Sequence, residues 1–162
     1  MELRQKLQYI LKDSNAWWKS RDFTVTYRQR EIMKEIEKYL KLSQIVALVG
    51  LRRTGKTTLL YRIIELSLTQ MPPSNICYFS FDDFAQLDIE DLVEAYKDIF
   101  PETDFSRGKF LFCFDEIQKL KGWQDKIKRL YDTHKNIKII ISGSESLFIR
   151  KGIKESLGGK IF

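Results

Sequence analysis

An α/β fold, in three α/β/α layers around a mostly parallel sheet, is predicted by three features of this 162-residue chain. Four short apolar runs alternate with amphipathic stretches of helical length. The runs are apolar nearly throughout instead of alternating with polar residues, which suits strands buried on both faces. Each connection is long enough for a helix to cross back over the sheet, as parallel pairing requires.

Taken in order, Glu2–Leu11 predicts a short amphipathic helix with Leu3, Leu7, Ile10 and Leu11 on one stripe, ended by Asp13-Ser14-Asn15. Trp17 and Trp18 follow, as anchors for a partner or as side chains folded back onto the core. Arg28–Leu42 predicts a longer helix with Ile32, Ile36 and Leu40 spaced for burial. Gln44–Val49 is the first strand and Thr57–Leu66 the helix after it. Met71–Asn75 is a turn, Ile76–Phe81 the second strand, and Asp82-Asp83 an acidic loop. Asp88–Phe100 is a helix, Lys109–Phe114 the third strand, Trp123–His134 a helix, Ile137–Ser142 the fourth strand, and Glu145–Lys151 a last helix.

Composition narrows the class. Apolar residues at 43% and charged residues at 31% are ordinary for a folded domain, and the length suffices for one substantial core. No run is apolar enough to span a membrane, and the N-terminus lacks a signal-peptide core. Cys77 and Cys113 fall in strands without ligand spacing and read as core thiols of a reducing, cytoplasmic compartment. His134, the single histidine, reads as a helix-end residue. The net charge of +6 is uneven: +4 over residues 1–41, +3 over 42–69, −8 over 70–118 and +7 over 119–162. Basic ends suit nucleic-acid phosphates or an acidic partner domain. Lys119, Lys121, Lys126, Lys128 and Arg129 are equally a solvated face of one helix, and no nucleic-acid motif accompanies them.

The chemistry lies between the first strand and its helix. Gly50-Leu51-Arg52-Arg53-Thr54-Gly55-Lys56-Thr57-Thr58 fits G-x-x-x-x-G-K-[ST]. Strand, glycine turn and helix start together form an anion site, because the curled loop aims backbone N–H groups at phosphate and the helix N-terminus adds positive partial charge. Gly50, Arg52, Arg53, Thr54, Gly55, Lys56, Thr57 and Thr58 are therefore candidate nucleotide contacts. Lys56 would reach the β- and γ-phosphates, and the Thr57 hydroxyl would hold Mg²⁺. The third strand runs Phe110-Leu111-Phe112-Cys113-Phe114 into Asp115-Glu116, 59 residues beyond Lys56. Ligand-binding groups project from the carboxyl ends of such strands. Asp115 would hold Mg²⁺, directly or through water, and Glu116 would orient and deprotonate an attacking water. The competing reading makes the two acids an N-cap and first turn.

Gly-Leu-Arg-Arg-Thr-Gly-Lys-Thr-Thr-Leu-Leu, Phe-Asp-Glu-Ile-Gln-Lys-Leu-Lys-Gly-Trp, Lys-Arg-Leu-Tyr-Asp and Ile-Ser-Gly-Ser-Glu-Ser-Leu occur in that order. Together they resemble the archaeal and bacterial AAA-type P-loop ATPases related to the STAND-like archaeal ATPases, over residues 25–162. The resemblance implies a P-loop NTPase sheet of order 5-1-4-3-2, its fifth strand absent or only begun at Lys160-Ile161-Phe162. It implies an N-terminal helical extension over 1–24 and a C-terminal domain beyond 162. In such proteins the last core strand before that point lies between the strands carrying the loop and the acids, and ends in a polar sensor of the γ-phosphate or water. Ser142 is the first choice for that catalytic role and Ser144 the second, with Ser144 equally placed to cap the helix after it. Tyr27 and Arg28 match an element at the adenine end. Where relatives carry an arginine after Leu-x-Gly, this chain has Lys160, a charge without the planar fork; Arg150 is the best arginine for a finger supplied within an oligomer.

The expectation is thus an ATPase using ATP and Mg²⁺ to move an appended or partner domain. A nucleotide-gated switch with little turnover, or a small-molecule kinase on the same loop, are the alternatives. No guanine-recognition motif and no ABC-type signature are present.

Overall fold

The computed structural model describes residues 2–26, 31–51 and 53–144. Within them the order is α1 (Leu3–Ser14), α2 (Ile32–Leu40), β1 (Val46–Val49), α3 (Lys56–Ser67), β2 (Ile76–Ser80), α4 (Ile89–Ile99), β3 (Phe110–Asp115), α5 (Trp123–Thr133) and β4 (Ile137–Gly143). Short 3₁₀ turns occupy Ala16–Trp18, Pro73–Asn75 and Ile117–Lys119. The four strands are parallel in the order β1-β4-β3-β2, the expected 1-4-3-2 portion. The place of a fifth strand, the helix at 145–151, Arg150 and Lys160 all lie outside the described residues, as do Arg52, Tyr27 and Arg28.

Successive side chains of a strand point to opposite faces, and here both faces are covered. Cys77, Phe79, Phe110, Phe112, Phe114, Ile139 and Ile141 pack beneath α1, α4 and α5. Ile76, Tyr78, Leu111, Cys113 and Ile140 pack beneath α2 and α3. Every residue of β3 is buried, and each large apolar side chain so placed contributes about 1.5–3 kcal/mol. Both cysteines are free and buried, and burial pushes their thiols well above the usual range.

The first helix runs three residues beyond its expected end at Leu11. Asn15 closes it, its backbone N–H and its side-chain Nδ2 both donating to Leu11 O, at 3.1 and 2.7 Å. Leu7 and Leu11, one turn apart, bury their side chains in the same cluster as α4. Arg4 holds Asp98 through two bonds of 2.6 and 2.9 Å, and this bidentate contact keeps the carboxyl below its ordinary range.

Trp17 and Trp18 turn back onto the core instead of outward. Both indole N–H groups donate to Ile76 O, at 2.9 and 2.8 Å. Asn15, fully buried, completes this seam: its Nδ2 donates to Tyr78 O at 3.0 Å and its Oδ1 accepts from Tyr78 N at 2.7 Å. One side-chain amide thereby pairs with edge strand β2 as a neighbouring strand would.

The uneven charge is partly neutralised within the fold. Arg129 of the basic C-terminal region pairs with Glu90 at 3.1 Å, Lys119 pairs with Asp82, and Lys126 Nζ donates to Leu87 O at 2.8 Å. His134 stands at the end of α5 against the Phe105 ring, as its helix-end reading expects.

Candidate functional site

Strand β1 delivers the chain into the glycine loop, and α3 begins at Lys56 with Gly55 before it. Gly55 has φ 83°, a left-handed conformation that glycine adopts without strain. Gly50 serves by its small size: a Cβ there would meet Thr54 Oγ1 at 3.0 Å. Arg53 also takes positive φ, 63°, where a residue carrying a Cβ is disfavoured. Thr54 Oγ1 donates to Leu51 O at 2.8 Å, tying the loop across its mouth. Lys56 Nζ donates to the carbonyls of Gly50 and Leu51, at 2.7 and 2.8 Å, so the ammonium sits over the loop it would serve.

Parallel pairing with β4 sets β1 one strand away from β3, and the carboxyl end of β3 comes up beside the start of α3. Thr57 Oγ1 donates to Asp115 Oδ2 at 2.7 Å. Tyr78 OH donates to the same oxygen at 2.8 Å. On the other oxygen, Oδ1, Asp115 accepts from Ser142 Oγ and, at 3.1 Å, from the backbone N–H of Glu116. Asp115 is 2% exposed. A carboxylate has about four acceptor positions, so these four donors satisfy it completely.

Glu116 takes a left-handed conformation, φ 53° and ψ 43°, and makes no capping bond to the 3₁₀ turn that follows. The acid pair therefore ends a strand and does not cap a helix through its side chains. The sharp turn sends Asp115 inward and Glu116 into the open cleft of about 750 Å³ that it lines with Arg53, Gly55, Lys56 and Thr57. Gln118 Nε2 donates to Glu116 Oε2 and fixes its direction.

The structure brings together Gly50, Arg53, Thr54, Gly55, Lys56, Thr57, Asp115 and Glu116. Thr58 follows on the same helix start, exposed. Ser142 is fully buried; its hydroxyl donates to Asp115 and accepts from Glu116 N–H at 3.3 Å. It thus stands beneath the acid pair, not among the residues lining the cleft.

Two participants were not legible as site residues: Tyr78 and Gln118. Burial pushes the Tyr78 phenol far above its ordinary range, and the adjacent Asp115 charge adds to this, so its hydroxyl remains a donor. Tyr61 of α3 is shifted the same way by burial, its ring 5.0 Å from that of Tyr78. A tyrosine in an otherwise apolar strand needs a hydrogen-bond partner; that requirement was the available signal.

The oxygens of Thr57 and Asp115 are hard donors suited to Mg²⁺. Among the described residues no cluster of three or more His, Cys, Asp or Glu side chains could hold a metal.

A family model described as AAA domain matches residues 42–162. An uncharacterized protein of Methanocaldococcus jannaschii is 37% identical over 126 residues, covering 75% of this chain and 26% of that protein. A second from the same organism is 32% identical, covering 84% and 29%. An uncharacterized protein of Haemophilus influenzae is 30% identical, covering 72% and 29%. The chain thus spans little more than a quarter of the length of these relatives. Among solved structures, Caenorhabditis elegans PCH-2 shares the fold with TM-score 0.52 and 13% identity, over 88% of this chain and 45% of that one.

Proposed function

This chain belongs to the AAA domain family, and we propose that it binds ATP with Mg²⁺ in the cleft at the start of α3 and hydrolyses the γ-phosphate. The observation that carries the reading is the 2.7 Å bond between Thr57 Oγ1 and Asp115 Oδ2, which joins the glycine loop to the acid pair. Lys56 and Glu116 line the cleft beside it.

Each residue then has a task. Loop N–H groups and the helix start receive the phosphates. Lys56 exchanges its two loop carbonyls for phosphate oxygens and neutralises their charge. Thr57 would hold Mg²⁺ through its hydroxyl oxygen, with Asp115 behind it as the acceptor of the hydroxyl proton; the ion supplies neutralisation of the β- and γ-oxygens when bound. Glu116 accepts a proton from water as the water oxygen bonds to the γ-phosphorus and the bond to the ADP oxygen breaks. Ser142, through Asp115 Oδ1 and Glu116 N–H, holds the two acids in register. Tyr27, Arg28 and Arg52 remain proposed nucleotide contacts.

The nucleotide state would be read by an appended or partner domain, with residues 25–162 as the ATPase unit and 1–24 as its helical extension. An arginine from a neighbouring subunit completing the site is part of the same proposal. The alternative, a nucleotide-gated switch with little turnover, is favoured by one contact: Gln118 already occupies a Glu116 oxygen. Calorimetry of Mg²⁺–ATP binding, with Lys56→Ala beside the wild type, tests the site, and binding should disappear in the variant. Phosphate release then separates the readings: Glu116→Gln abolishes turnover while retaining binding in an ATPase, and changes little in a switch. No binding by the folded wild-type chain would refute both.

A further inference from the structure

Tyr78 is held at its backbone by Asn15 of the N-terminal segment and at its ring by Tyr61 of α3, and delivers its hydroxyl to the acid that joins the glycine loop. Its backbone N–H and carbonyl are both taken by the Asn15 amide, at 2.7 and 3.0 Å. Its ring continues an aromatic file that begins in the same segment. Trp17 meets Phe23 at 5.0 Å between ring centroids, Phe23 meets Tyr61 at 6.0 Å, and Tyr61 meets Tyr78 at 5.0 Å. Beyond the ring, the hydroxyl reaches Asp115 Oδ2 at 2.8 Å, the oxygen that Thr57 also contacts. Strand parity explains the reach. Tyr78 and Asp115 lie on the α3 side of neighbouring strands, and Ser80, two residues beyond Tyr78, is the register partner of Asp115.

We propose that Tyr78 is a positioning residue of the metal–nucleotide site, and that the segment from Asn15 to Phe23 sets its position. This rests on the reading of the cleft as a Mg²⁺–ATP site. With all four acceptor positions of Asp115 filled, the carboxylate is locked in rotation and polarises the Thr57 hydroxyl, strengthening that oxygen as a ligand. Removing the tyrosine hydroxyl leaves Oδ2 held by Thr57, so the carboxylate is fixed less firmly in the orientation that serves that hydroxyl. Partners that orient metal ligands in this way typically change metal affinity by about 10–100-fold. Distortion of the N-terminal segment would reach the metal through the same tyrosine.

The test is calorimetric titration of the full chain with ATP, once across a series of free Mg²⁺ concentrations and once in EDTA. Tyr78→Phe keeps the ring and should raise the Mg²⁺ needed for half-maximal binding by about 10-fold. ATP affinity in EDTA should stay at the wild-type value. Phe23→Leu should shift the Mg²⁺ requirement the same way by a smaller factor, and add nothing in the Tyr78→Phe background. A Mg²⁺ requirement in Tyr78→Phe that is unchanged or lower overturns the proposal. So does an equal loss of affinity with and without the metal, which would mark a general structural role. A Phe23→Leu effect that persists undiminished in the double variant overturns the part assigned to the N-terminal segment. A folded wild-type chain that binds no ATP in either series overturns the underlying reading, and this proposal with it.

Discussion

Strand β2 closes one side of the sheet with three outward backbone groups, Ile76 O, Tyr78 N–H and Tyr78 O, occupied by the Asn15 amide and two indoles, whereas β1, at the other side, pairs among the described residues with β4 alone. At the β2 edge the cover comes from side chains more than fifty residues away in sequence, and the result is a buried seam around Trp17, 1% exposed. At the β1 edge the strand leads directly into the phosphate-loop sequence, and Val49 and Leu51 are 41% and 65% exposed. The same backbone need, satisfying an edge strand, is thus met on one side by an added segment. On the other side, among the described residues, the chain proceeds straight into the glycine loop. Packing is concentrated where the sheet is sealed, and exposed backbone turns where a ligand is expected.

The largest expected effects fall on the sealed edge. Trp17→Ala removes a buried ring and its bond to Ile76 O, and should cost about 3–5 kcal/mol, read as a lowered midpoint of denaturant unfolding. Asn15→Leu keeps the branched shape but strands the Tyr78 N–H and C=O, and should cost about 2–6 kcal/mol at 1–3 kcal/mol for each buried orphan. If either variant unfolds at the wild-type midpoint, the edge is not sealed by these residues and the contrast between the two sides fails.

What was legible in the sequence follows the same division. The glycine loop, Lys56, Thr57 and the acid pair lie within short stretches whose chemistry is local, so spacing alone nominates them. The strands are legible because buried runs such as Phe110-Leu111-Phe112-Cys113-Phe114 leave no face for water. Strand order came from resemblance, and the 1-4-3-2 portion stands. The bonds of Asn15 to Tyr78 and of Tyr78 to Asp115 depend on register between segments 63 and 37 residues apart, which no local pattern encodes. The N-terminal part was legible as a helix and a tryptophan pair, but not as the cover of an edge. For Ser142 the strand end was legible, while its direction, under the acids and not into the cleft, depends on the pleat.

A smaller effect is expected at Lys138, which supports the approach to the open edge. From β4 its ammonium donates to the carbonyls of Tyr39 and Leu42, at 2.7 and 2.6 Å, and also to that of Gln44. The lysine thereby holds the end of α2 and the lead-in to β1, a favourable place for a cation near a helix C-terminus. Lys138→Met retains the apolar stem but not the donors. It should cost about 1–2 kcal/mol, less than the Asn15 variant, because the ammonium is only partly buried and water can replace it. A loss as large as that of Asn15→Leu would show the two edges to be equally dependent on long-range side-chain bonds.

The smallest effect should come from Val49→Thr on the open edge. The substitution keeps the branched shape that suits a strand and exchanges one methyl for a hydroxyl at a side chain already 41% exposed. Stability should change by no more than about 0.5 kcal/mol, measured by the same denaturant unfolding. A valine this exposed, one residue before the glycine loop, gains little from burial within the described fold. A loss above about 1 kcal/mol would mean that something in the remainder of the chain covers β1, and the two edges would then differ in which segment seals them, not in whether they are sealed.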